Sequence, residues 1–278
     1  MILITGVTGQ LGTAFRERLG DGAHYLARTD LDLSDVSSIR PTLEGLRPAV
    51  VINCAAYTAV DAAEADEETA RLVNSTAVEE LARTTARLGA KLVTFSTDFV
   101  FDGTKTGAYV EPDETNPLNA YGRTKLDGEQ RALHANPDTL VIRTSWVLSG
   151  THPNFAATML RLMAEGPVTV IDDQHGHPTL VGDLVVAALA ALDADASGIL
   201  HITNAGTTSW FGLAREIAAI AGLDGELVQP VPASEYPTPA QRPANSVLES
   251  VRLDELGLDP LRDYHEPLEA AVAQLHSS

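Results

Sequence analysis

The sequence predicts an α/β protein: a Rossmann-like, doubly wound parallel sheet followed by a smaller C-terminal α/β cap that binds substrate. Three observations predict this fold. A short apolar strand runs into a glycine-rich turn and a helix, strand and helix patterns then alternate through the first half of the chain, and residues 50–52 form a continuous apolar strand of the kind buried on both faces of a parallel sheet. We expect residues 1–149 to form a dinucleotide-binding domain and residues 150–278 to be mainly substrate-binding, with 168–171 and 181–203 returning to the Rossmann sheet.

Composition and charge limit the possible function classes. The 278 residues are 44% hydrophobic and carry 38 acidic against 19 basic side chains, for a formal net charge of −19. Because such a surface repels phosphate groups, we expect no nucleic-acid partner and no membrane partner. The longest apolar run, 184–192, is too short to cross a bilayer. The single Cys54 excludes an internal disulfide, and residues 1–5 resemble a strand more than a signal peptide, so we expect a cytoplasmic protein.

The first predicted strand, residues 2–5, leads into Gly6, Gly9 and Gly12 and then into a helix. Glycines at such a turn let the backbone approach a pyrophosphate at the helix N-terminus, so the loop predicts a dinucleotide site. A tight turn without a ligand is the alternative. After the second predicted strand Arg28 comes before any acidic residue, which favours NADPH over NADH. An exposed loop arginine is the alternative for Arg28.

The next predicted elements extend the sheet. Residues 32–35 cap a short helix, and the strand 50–52 ends in small residues that would let a flat cofactor lie against the strand tip. A long helix is expected over 65–88. Its polar Asn74 is expected to be solvated or satisfied locally rather than functional.

The chemistry is expected at the next strand and helix. The strand places Thr97 and Asp98 at the carboxyl edge of the sheet, where open α/β sheets bind ligands. In a helix over 120–133, Tyr121 and Lys125 lie one turn apart on one face. A phenol ionises at about 10, so a neighbouring ammonium that favours the phenolate would let it act as an acid or base at neutral pH. A solvated helix face is the alternative for a lone Tyr-x-x-x-Lys.

The later predicted elements form the cap over this cleft. A strand at 139–144 still belongs to the doubly wound repetition. The cap pieces, interleaved with sheet elements, are a helix at 153–164, a strand at 168–171, a helix at 180–192, a strand at 199–203, a helix at 209–221 and a Pro-rich segment at 230–243. His175 and His177, in a Gly/Pro loop, are expected to face solvent. The chain contains no H-E-x-x-H pattern, so we expect no metal site.

Several motifs resemble the extended short-chain dehydrogenase/reductases: TGVTGQLG at 5–12, NCAAYTAVD at 53–61, STDFVFDG at 96–103 and YGRTKLDGE at 121–129. More narrowly, the chain resembles the dTDP-4-dehydrorhamnose reductase family of sugar-nucleotide 4-ketoreductases. The narrower resemblance lies in RTSWV at 143–147, NF at 154–155, DQ at 173–174, TSW at 208–210, PTPAQRP at 237–243 and NS at 245–246. It covers nearly the whole chain.

The resemblance implies NAD(P)H-dependent reduction of the C4 ketone of a dTDP-4-keto-6-deoxyhexose, of the type that converts dTDP-4-dehydro-L-rhamnose to dTDP-L-rhamnose. It implies that Tyr121 protonates the forming alkoxide, that Lys125 holds the nicotinamide ribose and lowers the phenol pKa, and that Thr97 hydrogen-bonds the carbonyl. The implied cofactor-binding residues, for NADPH or NADH, are Gly6, Gly9, Gln10, Leu11, Gly12, Arg28, Asp32, Leu33, Ala55, Ala56, Tyr57, Thr58, Tyr121 and Lys125. The implied substrate-binding residues are Thr97, Asp98, Trp146, Asn154, Arg242 and Asn245.

Arg242 is the candidate for a bidentate clamp on the nucleotide diphosphate. A surface ion pair with one of the nearby acids is its alternative. The family usually has Tyr at the positions of Phe99 and Leu148, and each replacement removes a hydroxyl near the expected sugar pocket. This leaves open a more deoxygenated dTDP-sugar from natural-product glycoside biosynthesis as the substrate. Alternatively, both side chains simply pack.

Two further readings stay open. One is a non-catalytic dinucleotide-binding subunit that regulates a partner enzyme, although the chain keeps Thr97, Tyr121 and Lys125. The other is an epimerase or dehydratase of the same superfamily. A dehydratase needs a second carboxylate beside Asp98, where this chain has Phe99. We expect a monomer or a homodimer.

Overall fold

The computed structural model describes residues 1–277, and its centre is a six-stranded parallel sheet. The strands are β1 (Ile2–Thr5), β2 (Ala23–Leu26), β3 (Val50–Asn53), β4 (Lys91–Thr97), β5 (Leu140–Thr144), β6 (Val147–Leu148), β7 (Val168–Ile171), β8 (His175–Gly176), β9 (Thr179–Leu180), β10 (Gly198–His201), β11 (Thr208–Ser209) and β12 (Val228–Val231). The central sheet has the order β10-β5-β4-β3-β1-β2. The predicted doubly wound parallel sheet is therefore confirmed, and its strand order reverses between β1 and β3.

Helices cover both faces of this sheet. The helices of the described residues are α1 (Gln10–Leu19), α2 (Val36–Leu46), α3 (Val60–Ala65), α4 (Glu67–Arg71), α5 (Ala77–Leu88), α6 (Ala120–Ala135), α7 (Phe155–Glu165), α8 (Val181–Asp193), α9 (Trp210–Ile220), α10 (Leu253–Leu256) and α11 (His265–His276), and not all of them pack on this sheet. Because side chains alternate along a strand, Leu3 and Val51 enter the core under α2 and α5, whereas Ile4 and Ile52 enter the core under α1 and α8. Among residues 1–277, no helix combines the length and apolarity needed to cross a membrane.

The turn between β1 and α1 requires glycine. Gly6 has a φ of +69°, and a Cβ there would lie 2.6 Å from the Ala55 nitrogen. A Cβ at Gly12 would lie 2.3 Å from the Gly6 carbonyl oxygen. The missing side chains let the first helix and the end of β3 close directly on this loop.

The predicted long helix over 65–88 is interrupted. Helices α4 and α5 are joined by a π-helical turn at Leu72–Thr76, which contains Asn74. Asn74 is buried, accepts a hydrogen bond from the Tyr57 nitrogen at 2.8 Å and donates to Thr124 Oγ1 at 3.2 Å. The expectation that Asn74 is solvated or locally satisfied is therefore wrong. Its amide joins the loop after β3 to α6. The π turn and α6 can approach this closely because residue 128 is a glycine, and a Cβ there would lie only 2.0 Å from the Asn74 carbonyl oxygen.

The elements after residue 149 divide between two cores. Strand β10 pairs with β5 in the central sheet, and α8 packs in the core of α1. Strand β7, by contrast, pairs with β12 in a separate two-stranded sheet, so the expectation that 168–171 returns to the Rossmann sheet is wrong. Helices α7, α9 and α11 bury their apolar faces together with this small sheet and form the second core.

Candidate active site

The candidate catalytic side chains meet where β4 ends and α6 begins. Asn119 caps α6 by accepting a hydrogen bond from the Gly122 nitrogen at 2.8 Å. A Cβ at Gly122 would lie 2.2 Å from the Phe99 carbonyl oxygen, so the helix packs directly on the turn that follows β4. The Phe99 ring meets the Tyr121 ring edge to face, with centroids 5.8 Å apart. This packing places the Tyr121 phenol beside the Thr97 hydroxyl.

Tyr121 carries its proton at neutral pH. Burial raises the pKa of the phenol above its ordinary value, the charge of Asp98 raises it further, and the hydrogen bond with Thr97 opposes both effects. The net shift is opposite to the lowering expected from Lys125. The protonated phenol is the form that a reductase requires, because reduction ends with proton donation to an alkoxide.

Lys125 lies one helical turn after Tyr121 and is buried. Its ammonium donates a hydrogen bond to the Phe95 carbonyl oxygen at 2.7 Å. Burial lowers the pKa of Lys125 to about 8, while the charge of Glu129 opposes that shift. The ammonium is therefore still mostly charged at pH 7, and its remaining N–H groups are available to a ligand.

Asp98 is a buried carboxyl beside the phenol, with 3% of its surface exposed. Burial raises its pKa to about 6, and the nearby hydroxyls of Ser246 and Thr97 limit the rise. The Thr97 hydroxyl donates to Asp98 Oδ1 at 2.9 Å, whereas Asp98 Oδ2 has no hydrogen-bond partner within residues 1–277. A buried acceptor of this kind can receive a substrate hydroxyl.

A cavity of about 530 Å³ lies against Phe99 and has an aromatic wall. Trp146 stacks on Trp210 with centroids 3.6 Å apart, and Phe155 lies against Trp210 at 4.6 Å. Trp146 has a φ of +44°, and its ring lies on the bare backbone of Gly176. Flat aromatic faces of this kind suit the apolar faces of a sugar or a base. The cavity is also lined by Asp61, Met159, Thr169, Val170, Ile171, Gln174, Tyr236, Pro237, Thr238, Arg242, Pro243 and Ser246.

Arg242 supplies the positive charge of this cavity, and Asp61 holds it. The guanidinium donates from Nη1 to Asp61 Oδ1 at 3.0 Å and from Nη2 to Asp61 Oδ2 at 2.8 Å. This pair keeps the pKa of Asp61 below its usual range. Arg242 thus forms the ion pair that was its alternative interpretation. It also lines the cavity, which fits its predicted role in binding an anion.

Other predicted substrate residues lie elsewhere. Asn245 donates to the Lys105 and Gly107 carbonyl oxygens and faces a different cavity, whereas its neighbour Ser246 lines the aromatic cavity. Adjacent residues of an extended segment face opposite ways, so Ser246 rather than Asn245 meets this cavity, and the substrate-binding role of Asn245 stays a prediction. Asn154 caps α7 and donates to Gln10 Oε1 at 3.2 Å, next to the glycine loop.

Four further positions on which the sequence left an expectation differ in their surroundings. Leu148 is buried in the core of the cap, so the reading that this position simply packs is correct for Leu148, whereas Phe99 lines the cavity. His177 is buried and bonded to two threonines, so the expectation that it faces solvent is wrong; His175 is exposed. Within the described residues, no group of three or more His, Cys, Asp or Glu side chains is arranged to hold a metal ion.

The residues at the β1 to β3 switch point fit a dinucleotide. Gly9 is the N-cap residue of α1 and has no side chain that could cap the helix. The first backbone N–H groups of the helix can therefore receive a phosphate. Ala55, Ala56, Tyr57 and Thr58 follow β3 at the same sheet edge. Further out, the exposed Arg28 donates to Asp32 Oδ2 at 3.0 Å, and Leu33 is buried in the core, which leaves its backbone rather than its side chain for a ligand.

Sequence reasoning missed Asp61, Gln174, Trp210 and Ser246 as cavity residues. All four lie within or beside the quoted motifs, but only the fold shows which members of each motif face the cavity. Asp61 carries no signal of its own in the sequence, because an acidic residue in the first turn of a helix is already favoured by the helix dipole.

Comparison with known proteins gives a consistent set of matches. The family model described as RmlD substrate binding domain matches residues 1–277. The chain is 44% identical over 282 aligned residues to the dTDP-4-dehydrorhamnose reductase of Mycobacterium tuberculosis strain H37Rv, covering 98% of this chain and 92% of the relative. A crystal structure of a dTDP-4-dehydrorhamnose reductase from Clostridium acetobutylicum matches with a TM-score of 0.94 and 37% identity, over 99% of both chains. The enzyme of the same name from Bacillus anthracis, solved in complex with NADP, matches with a TM-score of 0.93 and 33% identity over 98% of both chains.

Proposed function

The chain belongs to the dTDP-4-dehydrorhamnose reductase family, and from that premise we propose that it reduces the C4 ketone of a dTDP-4-keto-6-deoxyhexose with NADPH, as in the formation of dTDP-L-rhamnose. The observation that carries the proposal is the meeting of Thr97, Tyr121 and Lys125 at the carboxyl edge of the sheet, next to the aromatic cavity. We extend it to the two parts of the chain: residues 1–149 bind the dinucleotide, and the later residues mainly bind the sugar nucleotide.

The glycine loop and the end of β3 are the residues that would hold the cofactor. The uncapped N-terminus of α1 takes the pyrophosphate, and Ala55 to Thr58 border it across the switch point. Bound NADPH supplies the hydride that adds to the C4 carbonyl carbon. The exposed Arg28 is the group available to the ribose phosphate that distinguishes NADPH from NADH.

Three side chains of the protein act on the carbonyl oxygen. Thr97 orients it by turning its one hydroxyl proton from Asp98 to the carbonyl oxygen, and Tyr121 donates the phenolic proton to the alkoxide that forms. The phenolate left on Tyr121 is stabilised by the charge of Lys125, which the Phe95 carbonyl holds at the base of the site. Buried Asp98 accepts a hydrogen bond from a sugar hydroxyl at Oδ2.

The aromatic wall of Trp146, Trp210 and Phe155 stacks on flat or apolar faces of the sugar nucleotide, and Arg242 binds its diphosphate. Together these groups account for a substrate that combines an apolar deoxysugar with a charged nucleotide. The non-catalytic alternative has no observation in its favour, because the chain has a buried phenol at Tyr121 and a buried lysine one helical turn away at Lys125, which supports the catalytic proposal.

The test is the loss of ultraviolet absorbance of the reduced nicotinamide, with NADPH and then NADH, on dTDP-4-keto-6-deoxyglucose with and without a 3,5-epimerase. We expect oxidation of NADPH that requires the epimerase. Oxidation without the epimerase would assign the protein to reduction of a D-sugar instead. No oxidation of either cofactor on any 4-ketosugar would overturn the proposed activity.

A further inference from the structure

Arg242 is held along one edge of its guanidinium. Nη1 donates to Asp61 Oδ1 at 3.0 Å and to the Ala240 carbonyl oxygen at 2.9 Å, and Nη2 donates to Asp61 Oδ2 at 2.8 Å. Within the described residues, these three hydrogen bonds use both N–H groups of Nη1 and one of Nη2. The Nε–H and the second N–H of Nη2 remain, and they form the two-pronged edge that matches two oxygens of a phosphate.

The backbone that carries Arg242 is fastened as well. The Ala240 nitrogen donates to Asp61 Oδ1 at 3.1 Å, so one carboxylate holds both the side chain and the segment behind it. Asn119 donates to the Gln241 carbonyl oxygen at 2.7 Å, and the same amide caps α6, the helix of Tyr121. The cavity arginine is therefore tied to the start of α3 and to the start of the catalytic helix before any ligand binds.

We propose that Asp61 is a positioning residue that presents the free edge of Arg242 to the diphosphate of a nucleoside diphosphate sugar. The inference rests on the proposed function and adds a residue with a stated role to it. Asp61 does not have to leave when the ligand arrives, because its two hydrogen bonds do not use the Nε–H or the second Nη2 N–H of Arg242. An arginine fixed in this way loses little rotamer freedom on binding, so more of its interaction energy appears as affinity.

A binding experiment isolates this role from catalysis. The chain has two tryptophans, Trp146 and Trp210, and both line the cavity, so intrinsic fluorescence reports ligand binding without a label. Wild type, Asp61→Asn, Arg242→Ala and the double variant are titrated with dTDP alone. Loss of the charge-assisted hydrogen bonds of Arg242 should raise the Kd for dTDP about 10- to 100-fold, and loss of its orientation in Asp61→Asn about fivefold.

The double variant decides whether Asp61 acts through Arg242. If it does, the double variant binds dTDP as weakly as Arg242→Ala alone, because there is no guanidinium left to orient. In turnover, Asp61→Asn should raise the KM for the sugar nucleotide about fivefold and leave kcat within about twofold, since Asp61 touches no reacting atom. The control is Asp183→Asn, which breaks a similar two-point pair with Arg262 at a site away from the aromatic cavity, and which should leave the Kd unchanged.

Any of three results with the variants would overturn the inference. Tighter dTDP binding by Asp61→Asn would make Asp61 a competitor of the ligand. A double variant whose Kd for dTDP exceeds that of Arg242→Ala by the same factor as Asp61→Asn exceeds wild type would show that the two residues act independently. A Kd raised equally by Asp183→Asn would make the effect a general loss of structure. Wild type that binds dTDP but oxidises no NADPH would refute the proposed activity and leave the Asp61 result standing, whereas wild type that does not bind dTDP would refute both.

Discussion

The catalytic corner, formed by the end of β4 and the start of α6, differs in construction from the aromatic cavity beside it. The corner uses two stretches that follow each other along the chain, joined by one helical face and one turn. Its contacts are backbone approaches at Gly122 and Gly128 and a buried lysine held by the Phe95 carbonyl. A few contacts reach it from distant segments, such as Asn74 against Gly128 and the Gln241 carbonyl on Asn119.

The cavity, by contrast, collects its wall from many separate segments. Trp146, Trp210 and Arg242 come from three of them, and the Trp146 ring finds its place only because Gly176, on a fourth, has no side chain. Gly176 lies in β8, and Trp210 directly follows β11. These two short strands pair with each other outside the central sheet.

The difference teaches that the chemistry and the choice of substrate rest on different parts of the fold. The corner is built on the central sheet and carries the proposed proton donor, so changes there should affect turnover and stability. The cavity is assembled by long-range packing, so changes there should affect binding and preference.

The largest effect is expected from Tyr121→Phe, which breaks the corner without touching the cavity. Loss of the proton donor should lower kcat for NADPH oxidation by about 10²- to 10⁴-fold. Binding of dTDP, followed by tryptophan fluorescence, should stay at the wild-type value. Tyr25→Phe is the matched control, since it removes a hydroxyl that only bonds the Gly20 carbonyl. A kcat within tenfold of wild type would assign the proton to another group.

A second test breaks the support behind the corner. Arg143 and Glu129 form a buried ion pair, with Nη2 and Oε2 2.7 Å apart and both side chains 2% exposed. Glu129→Gln leaves the arginine charge uncompensated and should lower the free energy of unfolding by about 3–5 kcal/mol in urea denaturation. Glu165→Gln, in the exposed pair with Arg161, should cost less than about 0.5 kcal/mol. Equal losses would show that burial of the pair does not matter.

A third test uses the pH dependence of Asp98. Burial raises its pKa from 3.8 to about 6. Between these two pH values the native state therefore holds a proton on Asp98 that the unfolded state has lost. This stabilisation is complete below about pH 4 and is lost as the pH rises through about 6. Asp98→Asn should remove the dependence and exceed the stability of wild type at pH 7 by about 2–3 kcal/mol. If the free energy of unfolding in urea changed with pH in the same way for both proteins, Asp98 would not be the source of this pH dependence.

The same contrast explains how far the sequence alone leads. Tyr121, Lys125 and Thr97 are correctly brought together from local patterns, because helix periodicity and a strand end place them. The π turn at Asn74 breaks that periodicity through a tertiary contact with Tyr57, which no local pattern contains. In the cavity, the choice between Asn245 and Ser246 depends on which way an irregular segment turns, and such a segment has no period from which to read it.

The smallest effect is expected where the corner and the cavity meet, at Phe99. Its ring packs against Tyr121 and lines the cavity, so a hydroxyl at the ring tip is the least disruptive way to add a polar group there. In Phe99→Tyr, one new hydrogen bond to a sugar hydroxyl is worth about 1 kcal/mol, or about fivefold in kcat/KM. The variant should therefore shift preference toward 4-ketosugars that keep this hydroxyl over deoxygenated analogues, while kcat on the best substrate changes little. Phe211→Tyr, outside the residues that line the cavity, adds the same hydroxyl as a control. If Phe99→Tyr left the ratio of kcat/KM values among 4-ketosugars unchanged, the ring of Phe99 would serve only to pack against the Tyr121 phenol. Sugar preference would then depend on the aromatic wall alone.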